Sequence, residues 1–144
     1  MDAGEVNMGN ASPPESSRAG FVAQTLGASL TVNSLQQSVA WYRDVVGFAV
    51  AREYAPRGTL IAVALRAGTV EVLLTQDNGA RGEERVKGEG FSLQFTTTQD
   101  IDQLGAGIVE RGGVLDDPPF DAGGARAFRL RDPDGFKLVF SSPR

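Results

Sequence analysis

Glu71 and Lys137 are the side chains whose type and placement most readily suggest chemistry. Each belongs to an alternating run, Val70-Glu71-Val72-Leu73 and Lys137-Leu138-Val139-Phe140, and so projects from the strand face opposite Val72 or Leu138. A carboxylate partly desolvated on such a face has a raised pKa and can serve as a general base, with an ammonium as its electrostatic partner. Arg126 is a third candidate. It shares a strand face with Phe128, and a guanidinium beside an aromatic ring suits an anionic or planar ligand. Arg129 lies on the other face of that strand, so only one of the two arginines can enter a given site. The sequence has no cysteine and no histidine, which excludes disulfides, thiolate nucleophiles and the usual imidazole base or metal ligand.

The charge balance narrows the partners. Fourteen Lys and Arg against eighteen Asp and Glu give a net charge of -4, and the cations are dispersed, so no basic stripe is present to neutralise phosphates. Nucleic acid is therefore not an expected partner. No apolar run approaches the ~20 residues of a spanning helix, and the N-terminus lacks a basic start followed by an apolar stretch. The expectation is a cytoplasmic protein that neither spans nor binds a membrane. A chain of 144 residues can bury a sizeable core as one domain.

The elements that must position these residues follow from periodicity. Residues 1–24 are rich in Gly, Ser, Pro, Asn and Ala without sustained pattern and read as a disordered or loosely docked arm ahead of one domain over 25–144. Residues 28–33 alternate as a strand, and Ser34 opens a helix, with Gln37 at capping-box spacing and Leu35, Val39, Tyr42 and Val46 as the apolar stripe. Gly47 ends it. Strands are expected at 48–54, 59–66 and 69–75, completing a first module over 26–76. A charged, glycine-bearing linker covers 77–90.

The pattern then repeats over 91–142: a strand at 91–97, a helix from Asp100 to about Arg111, and strands at 114–115, 125–130 and 136–141. Gly105 and Gly107 weaken the second helix by roughly 1 kcal/mol each relative to alanine, so packing must hold it or it is ragged. Residues match between halves, with an offset of 139 - 71 = 68, which suits a duplicated half-domain rather than a solenoid. The fold class expected is α+β: two tandem βαβββ modules forming an open, cup-shaped mixed sheet with helices on the convex side.

Two segments carry a family resemblance. Ser38-Val39-Ala40-Trp41-Tyr42-Arg43-Asp44-Val45-Val46-Gly47-Phe48 resembles the S-x-x-F-Y-x-D-x-L-G-F segment of the vicinal oxygen chelate superfamily. That superfamily includes glyoxalase I, bleomycin resistance proteins and extradiol dioxygenases. Arg131-Asp132-Pro133-Asp134-Gly135-Phe136-Lys137-Leu138-Val139-Phe140 is similar to its R-D-P-D-G-N-x-x-E-L signature. Both segments also have plain structural roles: Tyr42 and Trp41 as helix-stripe core, and Asp132 to Gly135 as a turn in which proline presets the second position and glycine takes a positive φ.

The resemblance implies metal ligands on the first and last strand of each module, facing the cup. Those slots fall at about Gly27, Glu71, Ser92 or Leu93, and Val139. Of these, Glu71 alone could ligate a transition metal well, so no metal and no other cofactor is expected, with a new site of other carboxylates and carbonyls for Mg²⁺ or Ca²⁺ as the minor alternative. Strand parity puts Ser29, Thr31, Asn33, Thr69, Glu71, Leu73, Thr75, Ser92, Gln94, Thr96, Lys137 and Val139 on the concave face. Ala28, Leu30, Val32, Val70, Val72, Leu74, Leu93, Phe95, Leu138 and Phe140 are the expected core. Glu71 and Lys137 either pair where the metal would sit or both point into solvent.

Three functions remain open from the sequence. The first is a small-molecule-binding protein, implied by the resemblance to be a homodimer, that sequesters a polar organic ligand or antibiotic without a catalytic metal. Overall acidity would suit a cationic ligand. The second is a metal-independent lyase or isomerase with Glu71 as general base, and the third is a structural or regulatory dimer. The candidate ligand-binding residues are Ser29, Thr31, Asn33, Glu71, Leu73, Ser92, Gln94, Arg126, Phe128, Lys137 and Val139.

Overall fold

The computed structural model describes residues 20–82 and 84–144. The chain runs β1 (Ala28–Val32), α1 (Leu35–Trp41), β2 (Ala49–Tyr54), β3 (Ala62–Ala67), β4 (Val70–Gln76), β5 (Ser92–Thr96), α2 (Ile101–Glu110), β6 (Leu115–Ala122), β7 (Ala125–Arg131) and β8 (Lys137–Pro143). This is the expected α+β architecture of two βαβββ modules. The open sheet comes in two four-stranded mixed parts, ordered β1-β4-β3-β2 and β5-β8-β7-β6. In each, the first and last strands of the module pair in parallel, Ala28 with Val72 and Ser92 with Lys137, and the other neighbours are antiparallel.

Both helices begin as their caps dictate. Ser34 Oγ accepts from the Gln37 N–H at 3.2 Å and Asp100 Oδ1 from the Gln103 N–H at 2.9 Å, each satisfying an amide that the first turn leaves without a partner. Beyond Trp41 the first helix widens into a π turn over Tyr42–Val46. There the Gly47 and Phe48 amides both donate to the Tyr42 carbonyl at 2.9 Å, and Gly47 closes the turn at φ 112°. The second helix is continuous despite its glycines. A Cβ at Gly105 would stand 3.4 Å from both Leu115 and Phe128, at contact distance, so the helix lies close on β6 and β7 there.

Strand β6 departs from expectation. The sequence pattern predicts only Val114–Leu115, yet pairing runs on through Pro118 and Pro119 to Ala122. Those prolines are tolerated because β6 is an edge strand and its pairing with β7 shifts register twice, between Leu115 and Asp117 and between Asp117 and Phe120.

One apolar core joins the halves. Leu30, Val32, Val63, Leu65, Val72 and Leu74 of the first sheet meet Phe128, Leu130, Leu138 and Phe140 of the second, with Tyr42, Phe48, Ile101 and Ile108 between them. Leu93 and Phe95 pack on it partly buried, whereas Val70, expected inside, is 43% exposed because it begins its strand beside the hairpin turn. Since both sheets turn their apolar sides to this core, their concave faces look outward from it.

Polar contacts lock the modules together through the two motif segments. The Tyr42 hydroxyl donates to Asp132 Oδ2 at 2.7 Å, while Asp132 Oδ1 accepts from the amides of Asp134 and Phe136, each at 2.9 Å. Asp134 in turn accepts from the Asn33 amide at 3.0 Å and the Ser38 hydroxyl at 3.3 Å. The turn read locally as Asp-Pro-Asp-Gly is thus also the clasp between halves. The linker is held as well: Lys87, 4% exposed, pairs with Asp77 and donates to the Thr31 carbonyl at 3.2 Å. Gly88, at φ +76°, passes so close that a Cβ would lie 2.9 Å from the Phe136 backbone.

The arm expected over residues 1–24 lies, up to residue 19, outside the described residues. Residues 20–27 form no helix or strand, and Phe21, Val22 and Leu26 are exposed. Among the described residues no helix is long and apolar enough to cross a membrane.

Candidate functional site

The concave face of the second sheet holds a cavity of about 530 Å³. Its floor is β5, β8 and β7: Ser92 and Gln94, then Lys137, Val139 and Ser141, then Ala127, Arg129 and Arg131. Its wall is β6, which contributes Asp116, Asp117 and Phe120. The register explains the gathering, because Ser92 stands across from Lys137, Gln94 across from Val139, Arg129 across from Val139 and Arg131 across from Lys137, all on one face.

Polar order in the cavity comes from ion pairs along its wall. Arg129 meets Asp117 at 3.2 Å and its guanidinium lies 4.8 Å from the Phe120 ring centre. Arg131 meets Asp116 at 3.0 Å. The Gln94 amide nitrogen contacts the Ser92 hydroxyl at 3.5 Å.

The first sheet presents a different face. Glu71 is gripped by two guanidiniums, Arg52 at 2.7 Å and Arg66 at 2.8 Å, and Arg52 Nε also donates to the Tyr54 hydroxyl at 2.9 Å. These hydrogen bonds favour the carboxylate and hold its pKa down to about 2. Carbon-detected NMR of the side-chain carboxyl should give a Glu71 midpoint near 2 against the ordinary 4.5. Because the folded value is depressed, this group's contribution to stability is present above pH ~4.5 and is lost as pH falls towards ~2. A midpoint near 4.5 would show the guanidiniums to be disengaged. Thr31 and Thr75 share a hydroxyl contact of 3.3 Å on the same face.

Of the residues singled out from the sequence, Ser92, Gln94, Lys137 and Val139 come together in the cavity. Ser29, Thr31, Glu71 and Leu73 lie on the other sheet, and Glu71 is occupied by Arg52 and Arg66, neither paired with Lys137 nor free in solvent as the two readings left open from the sequence had it. Asn33 is drawn into the clasp through its backbone amide. Arg126 and Phe128 require correction. Phe128 is fully buried on the helix side of β7, stacked on Phe140 at 5.0 Å, and Arg126 on that same side pairs with Asp102 of α2 at 2.8 Å and with Asp121 at 3.2 Å. Of the two arginines weighed on this strand, it is Arg129 that enters the cavity, beside Arg131.

Sequence reasoning missed Arg52, Arg66, Asp116, Asp117, Phe120, Arg131 and Ser141. A signal existed for Arg66: a two-residue turn at Gly68-Thr69 pairs Ala67 with Val70 and therefore Arg66 with Glu71. The β6 residues were hidden behind Pro118 and Pro119.

A metal of the kind implied by the family does not fit these residues. The slots at Gly27, Ser92 or Leu93, and Val139 offer no imidazole or carboxylate, and both oxygens of Glu71 already accept from arginine. Among the described residues no three His, Cys, Asp or Glu side chains cluster closely enough to share an ion.

A family model described as Glyoxalase/Bleomycin resistance protein/Dioxygenase superfamily matches residues 21–140. The chain belongs to that superfamily. Solved structures agree at the level of fold. A superfamily member from Sphaerobacter thermophilus aligns with TM-score 0.69 at 22% identity, covering 84% of this chain and 98% of that one. TioX from Micromonospora sp. ML1 gives 0.64 at 20% identity, covering 84% and 97%. A V278E mutant of maize glyoxalase I gives 0.67 at 22% identity, covering 82% of this chain and 46% of the longer maize protein. No curated protein matches the chain in sequence.

Proposed function

We propose that this superfamily member is a small-molecule-binding protein that sequesters a polar organic ligand, an antibiotic among the candidates, without a catalytic metal. The observation that carries this reading is the state of Glu71. At the one slot where the chain keeps a metal-competent carboxylate, two guanidiniums occupy the oxygens an ion would need. The cavity on the second sheet adds support. Its hydroxyls, amide and paired charges offer many hydrogen bonds, and nothing in it is arranged as an activated nucleophile.

Homodimerisation belongs to the proposal, as does a cytoplasmic setting. Each concave face is half a cup, open to solvent on a sheet whose other side is covered, so a second copy would supply the missing half. The lyase or isomerase alternative is less favoured by the same clamp. A carboxylate held down to about pKa 2 by two arginines is a weak base at neutral pH. The structural or regulatory alternative predicts no bound metabolite.

Native mass spectrometry of freshly isolated protein, with metal analysis of the same sample, tests this directly. The expected result is a two-chain particle carrying an organic molecule and less than stoichiometric transition metal. One tightly held Ni, Zn, Fe or Mn per subunit, with activity lost on chelation, would overturn it.

A further inference from the structure

The charges lining the second-sheet cavity do not balance, and the imbalance has a definite place. Three cations, Arg129, Arg131 and Lys137, face two carboxylates, Asp116 and Asp117. Arg129 is matched by Asp117 and Arg131 by Asp116. Lys137 has no ion-pair partner among the described residues. It stands directly across the ladder from Arg131, an arrangement of like charges that a sheet gains nothing by and that costs stability. This surplus runs against the chain's net charge of -4. The first concave face repeats the bias, with Arg52 and Arg66 against Glu71 alone.

The neighbours of Lys137 suit an anion. Ser92 lies across from it on the other side, and because the Gln94 amide contacts the Ser92 oxygen, the hydroxyl proton remains available to donate. Beyond these two groups the floor turns apolar, through Val139 and Ala127 towards Phe120.

We propose that this cavity takes a small organic monoanion, a carboxylate on an apolar or aromatic body, seated against Lys137 and Ser92 with its body lying towards Phe120. The inference rests on the small-molecule-binding reading and specifies its ligand class. It also reverses the sign of ligand suggested by the overall acidity, because local field at the cavity floor outweighs a dispersed net charge. One unit of unmatched charge fits a carboxylate. A phosphate dianion would be overcharged there unless it displaced Asp116 or Asp117 from its arginine.

Calorimetric titration of the full chain with benzoate, phenyl phosphate, benzylamine and benzyl alcohol tests the assignment. Benzoate should bind most tightly of the four, with affinity falling as KCl is raised. Lys137→Met, which keeps an apolar stem and relieves the like-charge pairing with Arg131, should weaken benzoate at least about tenfold while leaving benzyl alcohol binding unchanged and the melting temperature no lower. Benzylamine or benzyl alcohol binding as tightly as benzoate, phenyl phosphate binding more tightly, or unaltered benzoate affinity in Lys137→Met would overturn the anion assignment while leaving small-molecule binding intact. Binding of none of the four would remove the cavity as a ligand site and the inference with it.

Discussion

Phe128→Ala should lower stability by about 3–5 kcal/mol, the cost of emptying a fully buried aromatic site. Phe128 stacks on Phe140 with planes 14° apart and fills the space opposite Gly105 in α2, where no side chain can move in to replace it. A chain of this size loses roughly 3–4 °C per kcal/mol, so the thermal midpoint should fall on the order of 10 °C or more. Urea unfolding followed by circular dichroism gives the same quantity independently. Had Phe128 lined the ligand cavity, truncation would shift the midpoint by little and act on binding instead. A change below about 1 kcal/mol would therefore refute its place in the core.

Tyr42→Phe should cost about 1–3 kcal/mol at neutral pH, although it removes one oxygen atom. The hydroxyl is the donor that satisfies Asp132 Oδ2 at 2.7 Å, and Asp132 is 5% exposed, so water cannot readily replace it. The pH dependence has a definite sign. Burial pushes the Asp132 carboxyl above its ordinary range, against the opposing pull of the Tyr42 hydroxyl and two backbone amides. A folded value above the unfolded one means that the group favours folding most below the unfolded pKa, and that this advantage is lost as pH rises through the folded pKa.

Removing the hydroxyl raises the folded value further, because the charged form loses a donor. The penalty of Tyr42→Phe should accordingly be larger at pH 7 than at pH 4, where the carboxyl becomes protonated and needs that donor less. Denaturation of both proteins at the two pH values tests this. An equal penalty at both would mean that Asp132 does not carry its charge in the way the geometry indicates. The double variant Tyr42→Phe with Asp132→Asn should lose less than the sum of its single changes, since the two residues share one buried interaction.

The sequence by itself determined the order of elements, because alternation and helical stripes are local consequences of strand and helix geometry. Ser34, Asp100 and Gly47 mark helix ends through hydrogen bonds and backbone conformations that span only a few residues. Cavity-floor residues Ser92, Gln94, Lys137 and Val139 were legible for the same reason, as period-two parity needs no partner strand to be known. Parity cannot say which side of β7 faces the helices. That choice is made in the assembled core, where Phe128 stacks on Phe140 and lies against Gly105 of α2, so that Arg129, rather than Arg126, stands on the concave side.

Tertiary structure also decided the partner of Glu71, the extent of β6 and the clasp between Tyr42 and Asp132. Each depends on contacts between residues distant in the chain or on pairing that a proline masks. Asp132 reads as a turn residue from its neighbours alone, and only the approach of the first helix gives its second oxygen a buried donor ninety positions away. Local chain geometry is written in local residue types, whereas the match of charges and donors across a core exists only once the core has formed.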